Sequence, residues 1–143
     1  MIKLNLFQKF FVYGIMGLFL EILWTGFNSF LRLDYTLTGH SSVIMLPIYG
    51  LTVILEPLFE KLKKYPVAYR GFIYSILILS CEFITGYILK CFNICPWDYT
   101  NKGINIMGLI RLDYIPLWFC AGLFFEGIYN SFFSISLNSG EYN

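Results

Sequence analysis

Four stretches of this chain are apolar for long enough to cross a bilayer, which takes about 20 such residues for roughly 30 Å of hydrocarbon. They run from about Gln8 to Phe30, Val43 to Phe59, Val67 to Cys91 and Gly108 to Phe133. The pattern predicts an all-α integral membrane protein, with residues 1–143 forming one domain of four transmembrane helices in a bundle. The second stretch is the shortest and holds Pro47, Gly50 and Pro57. Pro47 lies near its start, where a missing N–H costs little, and Pro57 near its end, where the helix is expected to stop or bend. Lys3 and Lys9 ahead of the first apolar run resemble a signal peptide. Glu21 interrupts that run and no small-x-small site follows Trp24, so the segment reads as a retained span.

The segments between the spans differ. Leu31–Ser42 is short and polar, and Glu60–Pro66 is basic. Phe92–Met107 mixes Trp97, Tyr99, Ile104 and Ile106 with Pro96, Asp98, Asn101, Gly103 and Asn105. Such a stretch lies in the interface with Trp and Tyr at headgroup level. Alternatively it folds back as a partly re-entrant loop, which requires protein or water to satisfy its backbone. Asn138–Asn143 reads as a frayed tail.

Composition agrees with the spans. The chain is 57% hydrophobic and 13% charged with a mean hydropathy of +0.65, against roughly 25% charged for a soluble domain. This excludes a soluble globular protein, a disordered chain and a secreted disulfide scaffold. Ten basic residues against nine acidic ones, with no basic stretch longer than the short Glu60–Pro66 connector, argue against nucleic acid. With four spans, Lys3, Lys9, Lys61, Lys63, Lys64 and Arg70 fall on one side, and Arg32, Lys90, Lys102 and Arg111 on the other. The excess of positive charge assigns both termini to the cytoplasm.

Ionisable residues inside the spans carry the functional signal. Glu21 and Glu82 each lie about nine residues before the outer end of a span that travels outward, at similar depth, on the order of 13 Å below that end. Asp113 enters the fourth span from the same side. Burying a charge in the bilayer costs roughly 2.5–3.5 kcal/mol on insertion scales, so these carboxylates need partners, protons or water. One reading is a polar cavity lined by Glu21, Glu82 and Asp113 that binds a cation, a proton or a polar headgroup. The other is structural: carboxylates accepting hydrogen bonds from Tyr13, Trp24, Tyr49, Tyr74 or Ser80 on neighbouring helices. Glu56 and Glu126 fall near the inner face, where snorkelling and pairing with lysines is expected. Arg111 and Asp113 are two apart and do not face each other on a helix; Arg111 to Asp98, or Asp113 to Lys102, would latch the loop to the fourth span.

Other chemistry is sparse. His40 is the single histidine, which excludes a His-His metal or haem pair. Cys91 and Cys95 form a weak CxxxC pattern, without further close ligands for zinc, while Cys81 and Cys120 read as packing residues. No P-loop, G-x-S-x-G, HExxH or dinucleotide fingerprint occurs. No catalytic residue, metal or cofactor is expected.

The run Cys81–Gly122 contains EF-x-TG at Glu82–Gly86, FN-x-CPWDY at Phe92–Tyr99, MGLI-x-L at Met107–Leu112 and WFC at Trp118–Cys120. Ser42–Gly50 and the acidic first span match more loosely. In these pieces the chain resembles the transmembrane protein 229 and putative ABC-transporter type IV family of multi-pass membrane proteins. The resemblance implies Glu82, Trp97, Asp98, Tyr99, Asn105 and Gly108 as motif positions. It also implies a separate ATPase subunit and several copies of the chain, since this one is short for a permease and carries no ATP site.

The expectation is a small multi-pass, permease-like protein of the cell membrane that binds a polar or cationic solute. Glu21 and Glu82 form the buried site, Asp113 stands near its entrance, and Trp97, Asp98, Tyr99 and Asn105 belong to the covering loop. The partners are the lipid bilayer, a second copy of the chain and the ATPase. Two alternatives are a non-catalytic membrane partner subunit and a membrane enzyme acting on a lipid-linked substrate; the reading favours a non-enzyme.

Overall fold

The computed structural model describes residues 4–133, and the tail expected at Asn138–Asn143 lies outside them. The described residues are mostly helical and divide into two compact units, one up to Pro57 and one from Leu58 onward.

The first unit opens with α1 (Leu6–Leu31). Asn5 starts it with a capping box: its side chain accepts from the Gln8 amide, and the Gln8 side chain accepts from the Asn5 amide, both at 2.9 Å. At 1.5 Å per residue the 26 residues extend ~39 Å, more than the hydrocarbon thickness. Phe7, Phe11, Ile15, Phe19, Leu23 and Phe27 recur every fourth residue and are 39–70% exposed. This apolar stripe on the outside is what a lipid solvent requires. The opposite face carries Gly14 and Gly17, against which α2 (Met45–Gly50) packs. A Cβ on Gly14 would stand 2.7 Å from the Leu46 carbonyl, and one on Gly17 would overlap the Tyr49 ring, so the two backbones approach as only small residues allow.

The second predicted span is not a single α-helix. After α2 the chain tightens into a 3-10 stretch, Leu51–Leu55, before α3 (Glu56–Leu62) resumes. Pro57 offers no N–H to Val53 and crowds its carbonyl, which disfavours α winding in the preceding turn. The helix therefore tightens ahead of Pro57 rather than ending after it.

The second unit is built on α4 (Val67–Cys91), ~37 Å long by the same rise. Phe72, Ile76, Ile84 and Ile88 lie on its exposed side. Within the described residues, α1 and α4 are the two helices long and apolar enough to cross a membrane. A two-residue antiparallel hairpin follows, β1 (Asn105–Ile106) and β2 (Ile110–Arg111), with Ile106 paired to Ile110. Met107 and Gly108 both have positive φ (55° and 68°) at the centre of its turn, and Leu109 N–H closes onto Ile106 O at 3.0 Å. The start of the fourth predicted span is therefore not helical, because Gly108–Arg111 are turn and strand. A 3-10 turn (Leu112–Tyr114), α5 (Ile115–Ile128) and a π-helical turn (Tyr129–Phe133) follow. α5 packs on α4 where Tyr74 occupies the space a Cβ on Gly122 would need, and Phe119 that of Gly71. The aromatic core of this unit is Phe59, Tyr74, Tyr129 and Phe133, each at most 2% exposed.

Candidate functional site

Each of the five glutamates among the described residues accepts a hydrogen bond from a tyrosine hydroxyl. In the first unit Tyr13 donates to Glu56 Oε1 at 3.0 Å and Tyr49 to Glu21 Oε2 at 3.3 Å. In the second, Tyr99 donates to Glu82 Oε1 at 3.0 Å, Tyr74 to Glu126 Oε1 at 3.1 Å and Tyr129 to Glu60 Oε1 at 2.6 Å. A phenol suits this role in an apolar setting, since it buries a large ring and brings one donor at its tip. Of the donors suggested for Glu21, Glu82 and Asp113, Tyr49 reaches Glu21, whereas Tyr13 and Tyr74 serve Glu56 and Glu126 and Ser80 donates to the Ile76 carbonyl one turn back.

Glu56 and Glu126 also hold a cation each. Lys9 Nζ lies 2.8 Å from Glu56 Oε2, and Arg70 Nη1 lies 3.2 Å from Glu126 Oε1. These cations come from the first turns of α1 and α4, not from the basic connector; there Lys63 pairs with Glu60 instead, at 2.7 Å. Both pairs are largely out of contact with solvent, with Glu126 3% exposed.

Around Glu21 the segment after α1 folds back along the helix that precedes it. Ser29 donates to the Thr38 carbonyl at 2.9 Å, and the Thr25 hydroxyl bonds both the amide and the carbonyl of His40. Ser41 then donates to Glu21 Oε2 at 2.7 Å. The hydroxyls of Thr25 and Ser29 thus satisfy backbone groups of the returning loop.

Around Glu82 the fold-back is larger. Trp97 lies over Gly86, where a Cβ would come within 2.9 Å of its ring, and its indole N–H donates to the Leu109 carbonyl at 2.9 Å. Tyr99 N–H donates to the Gly108 carbonyl at 2.8 Å while its hydroxyl reaches Glu82. Asn105 donates to the carbonyls of Thr100 and Lys102 and accepts from the Gly108 amide at 3.1 Å. Gly108 at φ 68° also has no room for a Cβ, which would stand 2.5 Å from Thr100 Oγ1. Asp98 does not enter the cluster: it is exposed and accepts from the amide and hydroxyl of Thr100. Those bonds, the hydroxyl first, hold its carboxyl below the usual Asp range. Asp34 is held down in the same way by Thr36.

Asp113 pairs with Arg111, against the expectation that residues two apart cannot meet. The reason is backbone: Arg111 is extended (φ −121°, ψ 120°), not helical. Its guanidinium lies 4.1 Å from the Tyr114 ring centroid and 5.9 Å from that of Tyr99. The loop is thus latched through Arg111 on Tyr99, not through Asp98 or Lys102.

The second unit therefore brings together Glu82, Trp97, Tyr99 and Asn105 with Arg111 and Asp113, while Glu21 belongs to the first unit with its own donors. The sequence reading missed Lys9 and Arg70 as partners of Glu56 and Glu126 and Ser41 as a donor to Glu21. The signal was available, since a basic residue and a tyrosine four apart share a helix face. The cysteines are free thiols, and no group of three or more His, Cys, Asp or Glu able to hold a metal occurs among the described residues.

No solved structure matches the chain. The protein family described as Putative ABC-transporter type IV matches residues 8–141, nearly the full length, and the chain belongs to that family.

Proposed function

We propose that this chain is the membrane subunit of a transporter. In this reading it crosses the cell membrane four times with both termini in the cytoplasm, binds a polar or cationic solute at Glu21 and Glu82, and works with a separate ATPase subunit and further copies of itself. The observation that carries the reading is Glu82. It is a carboxylate 8% exposed in a helix long enough to span a bilayer, held by the hydroxyl of a loop residue that covers it. An ionisable group at that depth is retained against an insertion cost of a few kcal/mol, and a loop clasped over it supplies a way to cover and uncover it. Asp113, salt-bridged to Arg111, stands beside this loop.

The test is flux. The chain is reconstituted in sealed vesicles, alone and with its ATPase, and proton or monovalent-cation movement is read with an internal pH dye. Glu82→Gln and Glu21→Gln are expected to abolish flux while the protein still folds and inserts. Normal flux in both variants overturns the reading. The tyrosine donors at every described glutamate favour a second reading, a non-catalytic partner subunit whose carboxylates fix helix packing. Under it the same variants lower stability and assembly, and no flux is seen in any variant.

A further inference from the structure

Residue types of the first half of the chain recur at matching positions in the second. Shifted by 61 positions, Lys9 aligns with Arg70, Phe11 with Phe72, Tyr13 with Tyr74, Ile15 with Ile76, Leu18 with Leu79 and Glu21 with Glu82. Further on, Asp34-Tyr35-Thr36 recurs as Asp98-Tyr99-Thr100, and Leu46-Pro47 as Ile115-Pro116.

The structure makes these alignments physical, because aligned residues make the same contacts within their own unit. Lys9 and Tyr13 clasp Glu56; Arg70 and Tyr74 clasp Glu126. Gly14 faces the carbonyl of Leu46, just before Pro47; its counterpart Ser75 donates to the carbonyl of Ile115, just before Pro116, at 3.3 Å. Asp34 accepts from the amide and hydroxyl of Thr36, as Asp98 does from Thr100. In both units the segment after the long helix folds back along it and brings a hydroxyl to the outer glutamate, although from residues that do not align: Ser41 serves Glu21, whereas Tyr35, the counterpart of Tyr99, is exposed.

One apparent mismatch becomes further support. Pro47 to Glu56 is one residue shorter than Pro116 to Glu126. The first path contains the five-residue 3-10 stretch, while the second is α-helical throughout. A 3-10 residue turns about 20° more than an α-helical one and rises about 0.5 Å more, so five of them make up the rotation of one missing α-helical residue and slightly more than its rise. The tightened stretch sets Glu56 on the helix face that Glu126 occupies.

We infer that the chain is a tandem duplication of one two-helix unit, and that each copy carries one working carboxylate, Glu21 or Glu82, and one clasped carboxylate, Glu56 or Glu126. The inner glutamate of each copy is fixed by a cation and a phenol and serves as a staple between its two helices. The outer one is held by hydroxyls, from the fold-back loop in both copies and at Glu21 also from Tyr49 of α2, and these donors are neutral. The chain therefore offers two equivalent proton- or cation-exchanging positions. The division of roles rests on the transporter reading above, but the duplication does not.

The test uses the unaltered full-length protein in lipid vesicles and dicyclohexylcarbodiimide, which modifies carboxyl groups that exchange protons in apolar surroundings. Fragment mass spectrometry locates the adducts. The expected result is a mass shift of two carbodiimide units, at Glu21 and Glu82 at comparable rates, with Glu56 and Glu126 left unmodified. Modification of only one outer glutamate overturns the equivalence of the copies. Modification of the inner pair as fast as the outer pair, or of no glutamate, overturns the division of roles. The expected pattern together with an absence of flux would overturn transport and leave the duplication standing.

Discussion

The hydroxyl of Tyr99 donates to Glu82 across 17 residues of chain, and the register that permits this is set by two different spacings. Glu82 and Gly86 are four apart on a helix, about 6 Å along its axis. Trp97 and Tyr99 are two apart in a segment that is neither helix nor strand, and two residues of chain can span up to about 6.6 Å. That reach covers the helical spacing, so Trp97 settles on Gly86 while Tyr99 reaches Glu82. The loop is fastened to α4 by Trp97 and Tyr99, with Lys90 Nζ also donating to the Met107 carbonyl at 3.3 Å.

Removing one fastening should therefore loosen the other. Tyr99→Phe keeps the ring and deletes the donor, and taking a partner from a buried polar atom costs about 1–3 kcal/mol. Gly86→Ala should cost a comparable amount by pushing Trp97 away. Because both act on one loop, the double variant should lose less than the sum of the single losses, read as thermal unfolding in detergent. Full additivity would show that the two contacts are independent.

Glycines in α5 should behave in opposite ways. A Cβ on Gly122 would collide with the Tyr74 side chain, whereas nothing lies within 4 Å of one on Gly127. Gly122→Ala should destabilise by about 1–3 kcal/mol through overpacking. Gly127→Ala should be neutral or stabilise by up to about 1 kcal/mol, the helix-propensity gain. Unfolding midpoints of the two variants under one set of conditions decide the matter, and equal shifts would contradict the close approach at Gly122.

How much of this was legible in the sequence follows from what each signal depends on. The α1 and α4 spans follow from long apolar runs, because lipid rewards length and hydrophobicity without regard to partners. Glu21 and Glu82 stood out because a carboxylate in such a run is costly. The broken second span was half legible: Pro57 announced a disturbance, but it appears as 3-10 winding ahead of the proline. The turn and strand at the start of the fourth apolar stretch were not legible, since Gly108–Ile110 are apolar enough to read as helix and only the positive φ at Met107 and Gly108 turns the segment into a hairpin. The clasps at Glu56 and Glu126 were missed because charges in the connector drew attention away from Lys9 and Arg70, which lie one helical turn from Tyr13 and Tyr74.

The clasp at Glu126 makes a sharper prediction than its distance suggests. Arg70→Met leaves a carboxylate that is 3% exposed with the Tyr74 hydroxyl but without its cation. Breaking a buried pair from one side costs about 3–5 kcal/mol, whereas replacing both partners by apolar residues is often close to neutral. Arg70→Met should therefore be strongly destabilising, and Arg70→Met with Glu126→Leu should recover most of the loss. Unfolding in a denaturing-detergent titration gives both numbers. A double variant no better than the single one would mean that the pair contributes packing rather than charge compensation.

The repeated Asp-Tyr-Thr turns, Asp34–Thr36 and Asp98–Thr100, should respond to acid together. Threonine hydroxyl and amide donors favour the charged carboxylate and lower its folded-state pKa. A group with a lowered folded pKa adds stability that is fully present above its unfolded value, about 3.9 for Asp, and is lost as pH falls through the lower folded value. Both turns should stay intact from neutral pH down to about pH 4, in line with that reference value, and open below it. The measurement is the protection of the Thr36 and Thr100 amides against hydrogen exchange, corrected for the intrinsic rate at each pH. Asp98→Asn keeps an acceptor that does not titrate, so it should flatten the acid-induced loss at Thr100 and leave Thr36 unchanged. Opening that begins well above the ordinary aspartate range would show that some other group controls these loops.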